Sequence, residues 1–544
     1  MKRLVPILAL ALAFPGAADA ARYAVGVAPG ADLAKLTRTL ESRGKVEPLA
    51  PFAVVLRADD VRGVAKLPGV AYVERLGNRG RRAAFVPSDP FLARQWHIGA
   101  VQAFDAWPQR PTFSGPGLRI AVVDSGIDGG HPEFAGRIAA AKSFIGGSPR
   151  GDQHGHGTFV AGLIAGSLNN GQGIAGMAFP AQLLVAKVVR RDGIVPLEAE
   201  ARAIRWAVDN GASVINLSLG GVRDPLDPTR DSFSRLEASA VEYAIRNGVI
   251  VVAAVGNSDH APQQPWNYAS YPAALPHVLG VSAIARDGSV PMFSNRDPVF
   301  NDIAAPGDEL FSTLPRRITG QRLTCEPQGY SDCGPQEYRR PQGTSFAAAI
   351  ASAGALLVRA AWPAVRPEQI VAMVERSATD MTAATGCRRC GEGRDPATGW
   401  GRLNVAAAVN WDGRLPLRDR DEPNDDVGSR SWRIRRQSVS LLGRSIDYWN
   451  DPNDVYAVRL RRGGRLAVTL TGKAAANVDL VVWKPGTRRI SERTTSMVAA
   501  QSRQPVGELD FVRLRRAARP GIYYIQVRVT QPGSGAYTLR IVRR

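Results

Sequence analysis

The chain has 544 residues, which is too long for one ordinary domain and predicts about three or four. Its hydrophobic content of 44% is typical of globular proteins and supplies several cores. The formal net charge is +20, but the arginines are spread along the chain in short pairs. We therefore interpret the charge as a solvated surface and expect no nucleic-acid partner.

Residues 1–20 have the pattern of an export signal. Lys2 and Arg3 give a positive start, an apolar run covers 4–14, and Ala18-Asp19-Ala20 is a small-residue cleavage site. The apolar run is too short to span a bilayer, and no later segment is expected to span one. The mature protein is therefore predicted to be soluble, secreted (extracellular or periplasmic) and a monomer.

The segment 21–83 is predicted to be a small α+β domain, because strand-like apolar runs alternate with helical stretches. The predicted strands are 23–27, 52–56 and 71–76, and the predicted helices lie around 31–43 and 59–67. Arg79-Gly80-Arg81-Arg82 follows and is interpreted as an exposed, cleavable linker.

The segment 84–411 is predicted to be an α/β domain. Short runs rich in valine and isoleucine alternate with helical stretches, which favours a mostly parallel sheet with helices on both faces. The predicted strands are 118–124, 183–189, 214–219, 249–254 and 278–283, and the predicted helices are 159–168, 197–210 and 232–247. In such sheets the functional residues collect at the carboxyl ends of the strands.

The segment 412–544 changes composition again. Residues 421–426 (DEPNDD) are interpreted as a polar linker, and alternating strands without helical periodicity follow. The predicted strands are 455–460, 466–470, 478–483, 523–529 and 536–541. This pattern predicts a separate C-terminal β-sandwich domain.

Four cysteines agree with an oxidising compartment, namely Cys325, Cys333, Cys387 and Cys390. They allow three pairings, of which sequence proximity suggests Cys325 with Cys333 and Cys387 with Cys390. The Cys-x-x-Cys pattern could also be a redox pair or half of a zinc site. We discount both, because the chain carries an export signal and has no second Cys/His pair.

Ser345 stands where a long buried helix is predicted to begin. It follows Gly343-Thr344, and a run of small apolar residues continues to Ala361 before Pro363 ends it. Unpaired N–H groups at a helix N-terminus favour negative charge, which a serine nucleophile needs when an oxyanion forms beside it. A lone serine at this position is more often a helix cap.

Asp124 and His156 supply the other groups for acyl transfer. Asp124 ends a predicted buried strand, and His156 leads into a predicted helix. A histidine can accept the proton of a serine while a carboxylate fixes and stabilises the imidazole. Each residue alone would more often be a turn former or a loop residue.

Three stretches in this chain order resemble the signatures of the subtilisin-like serine proteases. They are Asp-Ser-Gly-Ile-Asp at 124–128, His-Gly-Thr at 156–158 and Gly-Thr-Ser-Phe-Ala at 343–347. The resemblance covers residues 88–410 and implies a serine endopeptidase that works through an acyl-enzyme, with Asp124, His156 and Ser345 as its catalytic triad.

The same resemblance implies roles for two further segments. Asn257 would donate its side-chain amide to the oxyanion, together with the backbone N–H of Ser345. Ser218, Leu219 and Gly220 would pair with the substrate backbone as an added strand. The expected substrates are therefore extended polypeptides.

Residues 167–174 resemble the calcium loop of this family, in which carbonyl oxygens and one asparagine hold the ion. Asp89 and Glu133 stand where the family places carboxylates, although aspartate is more usual at position 133. The implied Ca²⁺ ligands are Asp89, Glu133, Ser167, Asn170, Gln172 and Ile174. Oxygen-only ligation suits a structural calcium ion.

The flanking segments also carry resemblances. Residues 21–83, including Gly-Val-Ala-Tyr-Val-Glu at 69–74, resemble the inhibitory propeptide of the family, which implies a self-processed zymogen inhibited by its own propeptide. The tail from about 420 resembles a bacterial pre-peptidase C-terminal domain. The matching stretches are Glu422-Pro423-Asn424, Asp454-Val455-Tyr456, Val478-Asp479-Leu480 and Gly521-Ile522-Tyr523-Tyr524.

Two alternatives belong to other classes. The first is a catalytically inactive subtilase-like binding module, which the presence of all three triad residues disfavours. The second is an esterase with the same triad, but the chain lacks the G-x-S-x-G elbow and has a different residue order from that fold.

Overall fold

The computed structural model describes residues 22–28, 30–50, 53–58, 60–75, 85–107, 118–178, 181–416, 420–472, 477–490 and 495–544. The predicted export signal and the Arg79–Arg82 linker lie outside these residues. The chain forms two compact units, Met1–Ala83 and Ala84–Arg544.

The smaller unit is a four-stranded antiparallel sheet with one helix. The sheet order is β2-β3-β1-β4. Its elements are β1 (Arg22–Val27), α1 (Leu33–Glu41), β2 (Lys45–Ala50), β3 (Ala53–Arg57) and β4 (Val70–Arg75). Asp32 caps α1 by accepting hydrogen bonds from the N–H groups of Ala34 and Lys35, while Leu36 and Leu40 face the core.

Two local predictions for this unit were wrong. Strand β2 was missed because it is an exposed edge strand interrupted by Pro48, so it shows little hydrophobic alternation. The helix predicted over 59–67 is only a short 3₁₀ turn, Val64–Lys66, preceded by Gly63 in the left-handed region at φ 79°. Residue 59 lies outside the described residues.

The larger unit is built on a seven-stranded sheet in the order β11-β10-β9-β8-β5-β7-β6. Every neighbouring pair in it is parallel, as predicted. Its strands are β5 (Arg119–Asp124), β6 (Ile138–Ser143), β7 (Gln182–Lys187), β8 (Val214–Leu217), β9 (Ile250–Ala254), β10 (Val278–Ile284) and β11 (Ile303–Pro306). The strand order reverses at β5, which lies between β8 and β7, and ligands of open parallel sheets bind at such a switch point.

Helices cover both faces of this sheet. They are α2 (Trp96–Ala100), α3 (Ala103–Ala106), α4 (His156–Ala165), α5 (Leu197–Asp209), α6 (Arg235–Arg246), α7 (Arg316–Thr319), α8 (Gln336–Arg339), α9 (Thr344–Ala361), α10 (Pro367–Arg376) and α11 (Val405–Val409). Helices α4 and α9 contribute to one hydrophobic cluster, and α5 and α6 contribute to a second one. The two clusters lie on opposite faces, because alternate residues of the strands belong to each.

Helix α9 is the central core helix. It packs against β8, β9, β10 and β11. By length and mean hydropathy (18 residues, 1.5) it is apolar enough to cross a bilayer, contrary to the expectation that no segment after residue 20 would be. However, 78% of it is buried inside the protein, which explains its apolar sequence as core packing.

The C-terminal region is rich in β structure. Its two sheets have the orders β12-β14-β19-β16-β17 and β13-β20-β15-β18. The strands are β12 (Trp432–Ile434), β13 (Ser438–Asp447), β14 (Asn453–Leu460), β15 (Leu466–Gly472), β16 (Val478–Trp483), β17 (Val498–Ser502), β18 (Asp510–Leu514), β19 (Gly521–Val529) and β20 (Ser534–Arg543). Val458 of the first sheet and Leu539 of the second belong to one hydrophobic cluster.

The four cysteines form two short bridges, as sequence proximity suggested. Cys325 is bonded to Cys333, and Cys387 is bonded to Cys390. The first bridge closes a loop between α7 and α8, and the second closes a turn after α10.

The segment 421–426, interpreted above as a polar linker, is docked on the α/β part of the larger unit instead. Nε2 of His277 lies 2.9 Å from Oε2 of Glu422 and 3.1 Å from Oδ1 of Asp425. Burial alone would lower the pKa of His277, but the charges and hydrogen bonds of Asp425 and Glu422 raise it well above the usual value. Nearby, Arg430 pairs with Glu242 at 2.8 Å. These contacts hold the β-rich region against the α/β part of the larger unit.

We predict that this docking weakens at alkaline pH. A histidine with a raised folded-state pKa stabilises the protein fully below its unfolded pKa of about 6.5, and the contribution is lost as pH rises through the folded-state value. Limited proteolysis of the Ser345→Ala variant should therefore cut near residues 412–430 faster at alkaline pH. His277→Gln should be cut fast at every pH, whereas the exposed control His154→Gln should behave as the parent. Equal cutting of His277→Gln and its parent at pH 6 would contradict the prediction.

Candidate active site

Asp124 and His156 meet at the carboxyl edge of the sheet. Asp124 is the last residue of β5 and its side chain is 2% exposed, while His156 begins α4 with its side chain 21% exposed. Nδ1 of His156 lies 2.9 Å from both Oδ1 and Oδ2 of Asp124. The buried carboxylate therefore holds one ring nitrogen and leaves the other edge of the imidazole toward solvent.

Glycine allows α4 to begin this close to β5. A Cβ atom on Gly157 would lie 2.2 Å from the carbonyl oxygen of Gly126 and 3.2 Å from Cβ of Asp124. Any larger residue would push His156 away from the carboxylate.

Asp152 holds the two elements together, and the sequence analysis missed it. Its Oδ1 accepts hydrogen bonds from the Ser125 hydroxyl at 2.9 Å and from the N–H of Gly155 at 2.8 Å. Its Oδ2 accepts two more from Thr158, at 2.9 Å from the N–H and 2.6 Å from the hydroxyl. Asp152 stands three residues before Gly155, which occupies the N-cap of α4, so the usual helix-capping pattern does not identify it.

The surroundings of His156 favour its charged form. Burial lowers the pKa of the imidazole, but the charge of Asp124, the hydrogen bond to Asp124 and the more distant charge of Asp152 together raise it. The ring is therefore prepared to carry a proton taken from a neighbouring group.

Ser345 is the second residue of α9 and lies beside this pair. The ring of Phe346, the next residue, is 5.5 Å from the ring of His156. The Ser345 hydroxyl donates to the carbonyl oxygen of Ser218 at 3.1 Å, and the Ser218 hydroxyl donates to the carbonyl oxygen of Ser345 at 2.6 Å. Within the described part of the chain, Ser345 forms no hydrogen bond to His156. Catalytic hydrogen bonds are often loose without substrate, and rotation about one side-chain bond would redirect the hydroxyl.

Asn257 follows β9, and its side chain is oriented by the start of α9. Its Oδ1 accepts hydrogen bonds from both the N–H and the hydroxyl of Thr344, each at 3.1 Å. Nδ2 has no hydrogen-bond partner among the described residues. The amide is thus fixed with its two donors available next to Ser345.

The segment 218–220 continues from β8 along the same rim. Gly221, the next residue, pairs with Tyr271 through two backbone hydrogen bonds of 2.9 Å. Gly220 is exposed. This arrangement anchors the segment at one end and leaves backbone at the rim of the sheet.

The residues predicted to hold calcium also come together. Oε1 of Glu133 accepts hydrogen bonds from the N–H of Ile174 at 2.9 Å and from the Tyr330 hydroxyl at 3.0 Å. Oε2 of Glu133 accepts from the Asn170 amide at 3.1 Å. Oδ2 of Asp89 accepts from the N–H of Asn169 at 3.0 Å.

The remaining predicted ligands are also tied into the loop. The N–H of Gln172 donates to Oδ1 of Asn170 at 2.9 Å. The hydroxyl and the N–H of Ser167 both donate to the carbonyl oxygen of Glu133, at 2.8 and 3.0 Å. Donors of this loop thus point at the oxygens of Glu133 and Asp89.

Comparison with known proteins identifies the class. The model of the subtilase family matches residues 115–401. Thermitase of Thermoactinomyces vulgaris is 36% identical over 233 residues, which are 42% of this chain and 77% of thermitase. The major intracellular serine protease of Bacillus subtilis (strain 168) is 34% identical over 230 residues, which are 41% of this chain and 68% of that protein.

The chain belongs to the subtilase family and is a serine endopeptidase. Subtilisin E of Bacillus subtilis (strain 168) is a further relative, 32% identical over 51% of this chain and 67% of its own length. Among solved structures, a protease of Pseudoalteromonas arctica aligns over 60% of this chain and 99% of its own, with 25% identity and a TM-score of 0.47.

Subtilases commonly bind structural calcium, but the arrangement of the predicted ligands does not fit an ion in this loop. Calcium is held by inward-pointing oxygens, whereas both oxygens of Glu133 face N–H or O–H donors. The Tyr330 hydroxyl lies 1.8 Å from the position a Cβ on Gly173 would take, so it packs directly against the loop. Among the predicted ligands that the structure describes, Oδ1 of Asp89 is buried without a partner. Calcium at Asp89, Glu133, Ser167, Asn170, Gln172 and Ile174 therefore stays a prediction, which the hydrogen bonds around Glu133 do not support.

We predict that Tyr330, and no ion in this loop, stabilises residues 167–174. Tyr330→Phe leaves Glu133 without its hydroxyl donor and should cost about 1–3 kcal/mol, which would lower Tm measurably. The exposed control Tyr243→Phe should change Tm little. Thermal unfolding with and without a chelator provides the second measurement. A chelator-induced drop in Tm that Glu133→Gln abolishes would contradict the prediction.

Proposed function

We propose that the protein is a secreted serine endopeptidase, made as a self-processed zymogen, which cleaves extended polypeptide through an acyl-enzyme. The observation that carries the proposal is the 2.9 Å contact of both Asp124 oxygens with Nδ1 of His156, beside Ser345 at the start of α9. The family membership supports the reaction class.

In the proposed mechanism, the Ser345 hydroxyl turns from the Ser218 carbonyl toward His156 when substrate binds. Its oxygen attacks the scissile carbonyl carbon while Nε2 of His156 accepts the proton, and Asp124 stabilises the imidazolium. His156 then returns the proton to the leaving amine. In the second half, water attacks the acyl carbonyl carbon while His156 accepts its proton. His156 then gives that proton to Oγ of Ser345 as the bond to the acyl group breaks and the carboxylic acid product leaves.

Oxyanion stabilisation is assigned to Asn257 and the backbone N–H of Ser345. The two bonds from Thr344 to Oδ1 support this role, because they prevent the amide from turning its oxygen toward the negative charge. Preorganised donors of this kind act without rearrangement during the reaction.

The proposed substrate contact is the addition of an extended peptide strand along Ser218, Leu219 and Gly220. The exposed Gly220 supports it, because its backbone is open to solvent at the rim of the sheet. Binding through main-chain groups would favour loop or unfolded polypeptide over compact surfaces.

The proposed precursor has four parts, residues 1–20 as signal peptide, 21–83 as inhibitory propeptide, 84–411 as peptidase domain and 412–544 as a C-terminal β-sandwich domain. Support comes from the separate compact unit ending at Ala83 and from the two C-terminal sheets that share one hydrophobic cluster. One relative is named an intracellular protease, so membership of the family does not by itself support secretion. The support for secretion is the pattern of residues 1–20 and the paired cysteines.

Asn257→Ala should lower kcat about a hundred- to thousandfold with little change in KM, a magnitude measured on subtilisin itself. Hydrolysis of an unfolded protein such as casein, followed by peptide kinetics, would measure it. Asn247→Ala, which changes an asparagine after α6, is the matched control and should retain full activity. A loss confined to KM would contradict the oxyanion role.

Ser345→Ala should accumulate as a full-length precursor still joined to residues 21–83, since the variant lacks the nucleophile. Mass spectrometry of the purified protein would show the junction. A trace of active enzyme added in trans should then remove the segment, which shows that the precursor is folded and cleavable. Removal of residues 21–83 in the variant without added protease would refute self-processing.

A further inference from the structure

A cavity of about 790 Å³ opens beside the candidate triad. Ser125 and His154 are among the residues that line it. Ser125 directly follows Asp124, and the ring of His154 is 6.3 Å from the ring of His156. The cavity is therefore close enough to receive side chains of a polypeptide held at Ser345.

The sheet itself contributes a cation to this cavity. Lys187, the last residue of β7, pairs in register with Asp124 of β5 and lines the cavity wall. Its Nζ donates a hydrogen bond to the carbonyl oxygen of Gly151 at 2.7 Å. This contact fixes the ammonium group, and because the partner is an uncharged carbonyl, it does not cancel the positive charge.

The lining of the cavity is strongly basic, because it also contains three arginines, Arg190, Arg191 and Arg317. Arg190 is neutralised by Asp192 at 3.0 Å. Arg191 and Arg317 are exposed and form no ion pair with any residue that the structure describes. Glu337 is the one acidic residue in the described lining. Positive charge thus exceeds negative charge in a concave site, where it attracts anions more strongly than on a flat surface.

We propose that this cavity selects polypeptide substrates with aspartate or glutamate close to the scissile bond. The inference rests on the proposed function, and it adds a substrate preference to it. A planar guanidinium donates two parallel hydrogen bonds to a carboxylate, and neither Arg191 nor Arg317 has such a partner in the described part of the chain. Basic substrate side chains would meet repulsion from the same groups, which sharpens the discrimination.

The preference should be moderate and dependent on salt. Exposed ion pairs contribute little each, so replacing glutamine by glutamate at the responsive position should raise kcat/KM roughly three- to tenfold. Screening shortens the range of the field to about 8–10 Å at 0.10–0.15 M salt, so the preference should shrink as salt is added.

The test uses the mature enzyme and peptide sets that differ only in glutamate, glutamine or lysine at each position flanking the scissile bond. The double variant Arg191→Glu/Arg317→Glu should invert the preference, so that lysine peptides become the better substrates. Arg433→Glu/Arg461→Glu, which reverses two exposed arginines of the C-terminal region, is the control for net charge and should keep the glutamate preference.

The outcomes separate the inference from the proposed function. Equal cleavage of glutamate and glutamine peptides at every position would overturn the inference and leave the peptidase intact. A glutamate preference that survives the Arg191→Glu/Arg317→Glu change would also overturn it. If no peptide in any set is cleaved, the proposed function fails and the inference fails with it.

Discussion

The interaction on which the site depends is the hydrogen bond between buried Asp124 and the ring of His156. A carboxylate that is almost completely buried is costly unless its oxygens are satisfied. Here the imidazole meets both oxygens at 2.9 Å, and the N–H of Ser125 donates to Oδ1 at 2.7 Å. Because this contact fixes the ring and favours its charged form, any neighbouring hydroxyl that turns toward the free ring nitrogen has a base ready to accept its proton.

The parallel sheet brings these groups together although they are far apart in the chain. Asp124 ends β5, Asn257 follows β9 and Ser218 follows β8, so all of them stand at one edge. Helix α9 starts at the same edge and runs back through the core, which places Ser345 there and buries most of the helix. The burial of the apolar side chains of α9 therefore also fixes the position of its N-terminus, which carries the proposed nucleophile.

Sequence patterns predicted the strands whose residues are buried on both faces of the sheet. The runs that became β5, β8, β9 and β10 are rich in valine and isoleucine, and their ends were predicted within about two residues. Strand β6 was missed because alanine, lysine and serine dominate it and it lies half-exposed at the sheet edge. Strand β11 was missed because it has only four residues and ends in Pro306.

The residues of the candidate site were predictable from the sequence, whereas the long-range contacts that hold the surrounding loops were not. Asp124, His156, Asn257 and Ser345 stand in short, distinctive stretches, so sequence alone could single them out. The Tyr330–Glu133 hydrogen bond joins residues 197 positions apart, and the His277–Asp425 contact joins residues 148 apart. No local pattern encodes such partners. The acidic segment 421–426 was therefore interpreted as a polar linker. In both contacts, a charged or polar group is bonded to a partner that tertiary packing alone brings close.

The central claim is that His156, held by Asp124, makes the Ser345 hydroxyl a nucleophile. An organophosphorus reagent that phosphorylates activated serines tests this most directly, with peptide mass spectrometry to locate the label. The account predicts one label per mature protein, on Ser345, and its loss in His156→Ala. Absence of label on Ser345 in the mature protein, or undiminished labelling of Ser345 in His156→Ala, would contradict it.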